Sequence, residues 1–234
     1  MDRTLKALSL ILSYPTREMQ AAMPEIAGVL AAELRLTAAA RRDLRPLADA
    51  LATRDIYDLQ EDYVMLFDRS RTLSLNLFEH VHGESRDRGG AMVSLVETYR
   101  DAGFDPISNE LPDHLPVLLE FLATRPAEEA RDMLADAAHI FAALAKRLER
   151  RDSGYGAVFA ALRQMSGTVA DAETVALMLG LPEDDPTDLT ALDAVWAESE
   201  VTFGPDPNAG CPQVRDLLAG MDIPMTPEPV RAAE

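Results

Sequence analysis

Hydrophobic residues recur at intervals of three and four along the first part of the chain, which is the spacing of one face of an α-helix. Pro15 ends the first stripe, and Thr37 is suitably placed to cap the helix that carries the third. We therefore predict four helices in this region, with these stripes: Leu5, Leu8, Ile11 and Leu12; Met19, Met23, Ile26, Val29 and Leu30; Leu44, Leu47 and Leu51; Ile56, Leu59, Tyr63 and Leu66.

The same spacing returns after a polar stretch in the middle of the chain. Ser85 predicts the start of a helix and Gly103 its end, because glycine commonly closes a helix. Further helices are predicted over residues 117–122, 126 to about 150, 153–166 and 171–179, with a last one after Thr187. The stripe of the helix that follows Ser85 is Met92, Leu95, Val96 and Tyr99.

No segment alternates between apolar and polar residues as a strand would, and no glycine-rich nucleotide-binding motif is present. The abundance of Ala and Leu also favours helices. We predict an all-α fold, a single globular domain of about nine or ten helices over residues 1–203. Frequent Pro and Gly after that point predict a flexible tail over residues 204–234.

The charge is strongly acidic, with 40 acidic and 22 basic residues and a formal net charge of −18. Such a surface disfavours binding to nucleic acid or anionic membranes, which require clustered Lys and Arg. It would attract a basic peptide through electrostatic steering. The alternative is that the charge serves solubility alone.

The chain contains a single cysteine, Cys211, so the sequence predicts no disulfide framework. The apolar N-terminus is interrupted by Asp2, Arg3 and Lys6, and no small-residue cleavage site follows it. No stretch reaches the ~20 apolar residues that a membrane span needs. We predict a cytoplasmic protein without direct membrane insertion.

Three histidines are the first candidate functional residues, as possible metal ligands. His80, His82 and His114, joined by Glu79 or Glu84, offer ligands that suit zinc or iron. The i, i+4 spacing of ligands on a helix is missing. We predict no metal site and keep a His-based metalloprotein as an alternative.

Asp113 and His114 are the second candidate, since an acid beside a histidine could tune a general base. No nucleophile motif accompanies them, so we predict no catalytic residue. We expect Asp113 to cap the amides of the helix that follows. His114 is either a buried, hydrogen-bonded residue or a partner contact.

A group of arginines is the third candidate. They could hold a phosphate or pterin ligand, because the guanidinium binds phosphate in a bidentate manner. Internal ion pairs are the favoured interpretation. The arginines are Arg69, Arg71, Arg86 and Arg88, and the expected acidic partners are Asp68, Glu84 and Asp87.

Four motifs carry a family resemblance: EDYVMLFDR at 61–69, LFEHVHGESRDRG at 77–89, ELPDHLP at 110–116 and LDAVW at 192–196. In this order and spacing they resemble the NarJ family, the assembly chaperones of respiratory, membrane-bound nitrate reductase. The resemblance reaches from the N-terminus to about residue 203. The wider TorD-like group of all-helical molybdoenzyme chaperones shares Glu-Pro-x-Asp-His, and Pro112 lies one place later here, as in the nitrate reductase branch.

The resemblance implies a system-specific chaperone that is not an enzyme. Its partner would be the apo catalytic (alpha) subunit of nitrate reductase, bound mainly through its N-terminal segment. The chaperone would keep that subunit competent for molybdenum cofactor and iron–sulfur insertion before membrane docking, and would not be part of the final enzyme. No cofactor would be bound stably, because the molybdenum cofactor and the iron–sulfur clusters belong to the client.

Molybdenum cofactor biosynthesis proteins are further candidate partners, and a molybdenum cofactor carrier that uses Arg69, Arg86 and Arg88 is a second alternative. We expect an amphipathic client helix to lie in a groove between helices. The expected client-binding residues are Tyr63, Phe67, Asp68, Arg69, Phe78, Glu79, His80, His82, Glu84, Arg86, Glu110, Asp113 and His114.

Overall fold

The computed structural model describes residues 1–82, 87–107, 109–182 and 188. Within these residues the chain forms eleven α-helices and no strand, so the all-α prediction is confirmed. A π-helical turn, Val64–Asp68, and a 3₁₀ turn, Arg71–Leu73, follow the fourth helix. The helices are α1 Arg3–Ile11, α2 Arg17–Ala32, α3 Ala38–Thr53, α4 Ile56–Tyr63, α5 Leu77–His82, α6 Asp87–Asp101, α7 Leu115–Leu122, α8 Ala127–Asp136, α9 Ala138–Arg150, α10 Gly156–Ser166 and α11 Ala172–Leu179.

Side-chain caps start several helices. The Ala40 N–H donates to Thr37 Oγ1 at 3.2 Å, which confirms the predicted cap of α3. Thr16 accepts from the Met19 N–H at 3.1 Å in the same way at the start of α2. These bonds satisfy amides that have no partner inside the helix.

The single helix predicted from 126 to about 150 is wrong, because the chain turns at Ala137 (φ −94°, ψ 3°) and divides into α8 and α9. Alanine is a strong helix former, so local propensity does not explain the break. Tertiary packing explains the break, because the turn lets α9 enter the core against α10 and α11. Helix α8 buries only Ala130 and Leu134.

The core is centred on α9 and α10, where Phe141, Leu144 and Phe159 are fully buried. Elsewhere α2 packs on α3 and α1 packs on α7. A charged side chain also lies in this interior. Arg147 of α9 is 1% exposed, and it donates hydrogen bonds to the backbone carbonyls of Thr72, at 2.8 Å, and of Met178.

The end of α6 was predicted correctly. Gly103 has φ +70°, and the Gly103 and Phe104 N–H groups donate to the carbonyls of Arg100 and Tyr99, at 2.9 and 2.8 Å. This is the Schellman motif, completed by a contact between the Tyr99 and Phe104 rings at 5.3 Å. The predicted cap at the start of α6, Ser85, lies outside the described residues.

The chain divides into two compact units, Met1–Thr187 and Asp188–Glu234. The helix predicted after Thr187 and the predicted tail over 204–234 lie outside the described residues and stay predictions. In the part of the chain that the structure describes, no helix is both long and apolar enough to cross a membrane.

Candidate functional site

Two of the motifs singled out from the sequence are joined by backbone hydrogen bonds. Asn76 and His114 form an isolated antiparallel bridge. Beside it, the Leu77 N–H donates to Asp113 O at 3.1 Å and the Leu115 N–H donates to Leu75 O at 2.8 Å. The bridge thus fixes the start of α5 against the start of α7.

Asp113 is fully buried at this bridge, and its role differs from the prediction. The N-terminus of α7 has no side-chain cap. Instead, Asp113 Oδ2 accepts from the Phe78 N–H at 2.9 Å and thereby caps α5. Burial raises the pKa of the Asp113 carboxyl, and the Phe78 amide opposes that rise. Among the described residues, Asp113 Oδ1 has no hydrogen-bond partner.

The three histidines have separate surroundings. His80 Nε2 donates to Ser74 O at 2.8 Å, and burial lowers its pKa. The His82 ring lies edge-on to Phe78, with 5.8 Å between the centroids. His114 is half-buried, and burial lowers its pKa while Glu110 opposes the change. In residues 1–82, 87–107, 109–182 and 188, no group of three His, Cys, Asp or Glu could hold a metal ion.

One of the arginines forms an ion pair with an acid outside the predicted set. Arg88 Nη2 lies 3.1 Å from Glu79 Oε1, so that the start of α6 is tied to α5. Arg69 Nη1 is 3.7 Å from Met65 Sδ. Glu84 and Arg86 lie outside the described residues, and their proposed roles stay predictions.

Two of the expected site residues, Tyr63 at the end of α4 and Phe67 in the π turn, lie in the interior. The Phe67 ring packs between Tyr63 and Tyr155, with centroid distances of 5.0 and 5.1 Å. Tyr63 donates its hydroxyl hydrogen to Leu12 O at 2.9 Å, and burial raises its pKa. The wide turn places Asp68 at the surface of a cleft next to these rings. Turns of this type are rare and frequent at functional sites.

That cleft, which we call the acidic cleft, has a volume of about 790 Å³. Tyr63, Asp68, Glu110 and His114 of the expected set line it. Burial raises the pKa of Asp68, and nearby Glu110 raises it further. Its carboxylates are Asp68, Asp105, Glu110 and Glu120, and its apolar wall comprises Tyr14, Phe104, Pro106, Ile107, Pro116 and Val117.

A second cavity of about 220 Å³ lies among α5, α6, α7, α8 and α9, and we call it the Asp113 pocket. Among the described residues, its polar lining consists of the carboxylates Asp113 and Asp136. Successive side chains of an extended segment point to opposite sides, which explains why Asp113 and His114 line different cavities. The apolar lining is Leu77, Phe78, Val81, Leu95, Leu118, Met133, Ala137 and Ile140.

The surface of α6 continues this apolar area. Only Tyr99 of this helix is buried, and Val93 is 59% exposed. Met92, Val93 and Val96 line a further pocket of about 280 Å³. An apolar helix face next to carboxylate-lined cavities is suited to binding an amphipathic, basic segment of another chain.

A family model, the nitrate reductase delta subunit, matches residues 33–161. The chain belongs to that family. This confirms the family predicted from the four sequence motifs, and it places α3 to α10, with both cavities, largely inside the matched region.

Two relatives of the nitrate reductase delta subunit family are informative. The nitrate reductase molybdenum cofactor assembly chaperone NarJ of Escherichia coli K12 is 42% identical over 88% of this chain and 87% of its own. The nitrate reductase-like protein NarX of Mycobacterium tuberculosis H37Rv is 33% identical over 69% of this chain, but over only 24% of its own length.

Among solved structures, a proposed redox enzyme maturation protein from Archaeoglobus fulgidus has a similar fold. The TM-score is 0.53 at 26% identity, and the match covers 72% of this chain and 94% of that one. The helical architecture is therefore shared with a protein described as serving redox enzymes.

Sequence reasoning missed most of the apolar lining. Tyr14 and Ile107 reach the acidic cleft from segments that are far apart in the chain, and Met133 and Ile140 reach the Asp113 pocket from α8 and α9. One sequence signal could have identified Ile107. It is an apolar residue next to Pro106 in a segment without helical spacing, so it could have been expected to lie exposed at the surface.

Proposed function

We propose that this protein is a system-specific chaperone, not an enzyme, for the catalytic subunit of respiratory nitrate reductase. It binds the apo subunit, chiefly through the N-terminal segment, in the cytoplasm. It keeps that subunit competent for insertion of the molybdenum cofactor and the iron–sulfur clusters before membrane docking, and it then leaves. Molybdenum cofactor biosynthesis proteins would meet the client while this chaperone is bound.

The observation that carries the proposal is the similarity to the Escherichia coli assembly chaperone over 88% of this chain. A match of this extent includes the bridge between Asn76 and His114 and the described lining of the Asp113 pocket. The geometry supports a binding role, because both cavities combine apolar walls with carboxylates. The Asp113 pocket is also lined by Leu95 of α6, a helix that buries little of its own surface.

The client-binding surface that we propose contains the acidic cleft, the Asp113 pocket and the apolar face of α6. A basic amphipathic helix would place apolar residues against Ile107 and Val93, and basic residues near Asp68 and Glu110. The net charge of −18 would speed its approach. The expected site residues Phe78, Glu79, His80 and His82 would shape the α5 side of this surface.

The test is calorimetric titration of the full chain with a synthetic peptide of the N-terminal segment of the catalytic subunit. We expect saturable binding that weakens as salt rises, because the steering charges are screened. A scrambled peptide of the same composition is the control. Absence of binding to both the peptide and the apo subunit would refute the proposal.

A matched pair of variants locates the surface. Ile107→Ser removes an exposed apolar side chain from the acidic cleft, and Val169→Ser removes one from the α10–α11 connection. We expect the first to weaken peptide binding about tenfold, or about 1.4 kcal/mol, and the second to leave it unchanged. Equal effects would place the binding surface elsewhere.

A further inference from the structure

The Asp113 pocket combines two features that rarely occur together. Of its ten described lining residues, eight are apolar and two are the carboxylates Asp113 and Asp136. Asp113 is fully buried, whereas Asp136 lies at the exposed end of α8. The pocket therefore has an acceptor inside and a second negative charge near its opening.

The buried carboxylate has spare hydrogen-bonding capacity. Asp113 Oδ2 accepts from the Phe78 N–H, while Oδ1 has no partner among the described residues. A buried acceptor without a donor costs free energy, because the hydrogen bond to water has been lost and not replaced. The capping of α5 alone would not require a charged group, since an amide oxygen could accept the same bond.

Arg88 does not fill this role. Arg88 is close enough to lower the pKa of Asp113, but its guanidinium lies 3.1 Å from Glu79 Oε1. Since no donor among the described residues reaches Asp113 Oδ1, this oxygen can accept a hydrogen bond from a donor that enters the pocket.

We propose that the Asp113 pocket receives one lysine or arginine side chain of the client peptide, an inference that rests on the proposed chaperone function. The methylene stem would pack against Leu95, Met133 and Ile140, and the cationic head would donate to Asp113 Oδ1. Lys and Arg combine an apolar stem with a charged end, and a charge-assisted bond is stronger than a neutral one.

Other occupants fit the lining less well. A purely apolar side chain would leave Asp113 Oδ1 without a donor. A neutral donor such as an indole N–H would satisfy Oδ1 but would not balance the two carboxylates, Asp113 and Asp136. A basic residue meets both requirements and matches the sign of the overall charge.

The experiment is a set of double-mutant cycles with the full chain and the N-terminal peptide of the catalytic subunit. Each Lys and Arg of the peptide is replaced in turn by norleucine, which keeps an apolar stem and removes the cationic head. Each peptide is titrated into the wild-type protein, Asp113→Asn and the control Asp132→Asn. Asp132 is exposed on α8, so the control removes the same charge outside the pocket.

We expect one basic position at which norleucine weakens binding by about tenfold in the wild type and less than about twofold in Asp113→Asn. In Asp132→Asn the same position should keep its full effect. The peptide could bind while the effect of norleucine at every position is the same in Asp113→Asn as in the wild type, or Asp113→Asn could bind the peptide more tightly. Either result would overturn the inference about the pocket and leave the chaperone function standing. If the peptide does not bind at all, both fall.

A second variant keeps the inference testable if Asp113→Asn does not fold. Val81 is 55% exposed and lines the pocket, so Val81→Trp narrows the opening without disturbing the core. It should weaken the wild-type peptide about tenfold and abolish the norleucine effect at the selected position. Val169→Trp is the control, and equal behaviour of the two variants would count against the pocket.

Discussion

Helices α9 and α6 have similar lengths but different relations to the rest of the molecule. Eight of the 13 residues of α9 are buried, against one of the 15 residues of α6. Helix α9 packs against α10 and α11, whereas the main helical neighbour of α6 is α5. The comparison teaches that apolar residues at helical spacing are buried in the core in one region and stay largely outside the core in the other.

The largest expected effect is on the α9 side. Phe141→Ala should lower the free energy of unfolding by about 4 kcal/mol, because a fully buried ring is lost and a cavity remains. Val96→Ala on α6 should cost less than about 0.5 kcal/mol. Urea unfolding of both variants measures the difference. Similar losses of unfolding free energy would show that α6 and α9 contribute equally to stability.

The next effect concerns the buried charge of α9. Arg147→Met should cost roughly 3 kcal/mol, since the carbonyls of Thr72 and Met178 both lose a donor in the interior. Lys146→Met, at the exposed neighbouring position, is the control. Thermal unfolding distinguishes them, and a stable Arg147→Met variant would mean that these carbonyls find other donors.

A smaller effect is expected at the end of α6. Gly103→Ala should cost about 1–2 kcal/mol locally, because φ +70° is unfavourable for a residue with a Cβ. Among the described residues, no atom outside its chain neighbours lies within 4 Å of an added Cβ, so crowding does not contribute. Amide exchange should quicken in α6 and stay unchanged in α9. Uniform exchange changes would show that the two regions unfold together.

Two carboxylates outside α6 and α9, Glu33 and Asp113, should change the free energy of unfolding in opposite directions as the pH falls. Hydrogen bonding to Arg35 lowers the pKa of Glu33 from 4.5 to about 2, so its stabilisation is present above pH 4.5 and is lost as the pH falls towards 2. Burial raises the pKa of Asp113, so its ionisation costs stability as the pH rises. Glu33→Gln should flatten the acid limb of urea-unfolding curves, and Asp113→Asn should gain stability relative to wild type towards neutral pH.

The smallest stability effect belongs to the exposed face of α6. Val93→Ser should change the free energy of unfolding by less than about 0.5 kcal/mol, yet weaken binding of the catalytic-subunit peptide severalfold. Calorimetry and urea unfolding on the same sample separate the two quantities. A loss of stability without a loss of binding would show that Val93 contributes to the core and not to the peptide-binding surface.

Local signals in the sequence predicted much of the fold. The threonine at Thr37 and the glycine at Gly103 act on amides and carbonyls within a few residues, so their roles could be predicted without knowing the tertiary structure. The turn at Ala137 could not, because its cause is the packing of α9 against α10 and α11. The helix count of nine or ten fell short partly for this reason.

The candidate site was less predictable for the same physical reason. Asp113 looked like a cap for its own helix, and it caps α5 instead, 35 residues earlier in the chain. No local sequence pattern indicates that Asp113 bonds to the Phe78 amide. The acidic cleft likewise joins Tyr14 to Ile107, and only the assembled helices bring them together.

The bridge between Asn76 and His114 has a topological consequence. Backbone hydrogen bonds join the chain just before α5 to the chain just before α7, so the segment between them has its two ends fixed to each other. Lengthening a segment that is closed in this way costs little free energy, about 0.6 kcal/mol for each doubling of a flexible loop. Insertions between α5 and α7 should therefore be tolerated, and relatives could diverge there to suit different clients while the remaining helices keep their arrangement.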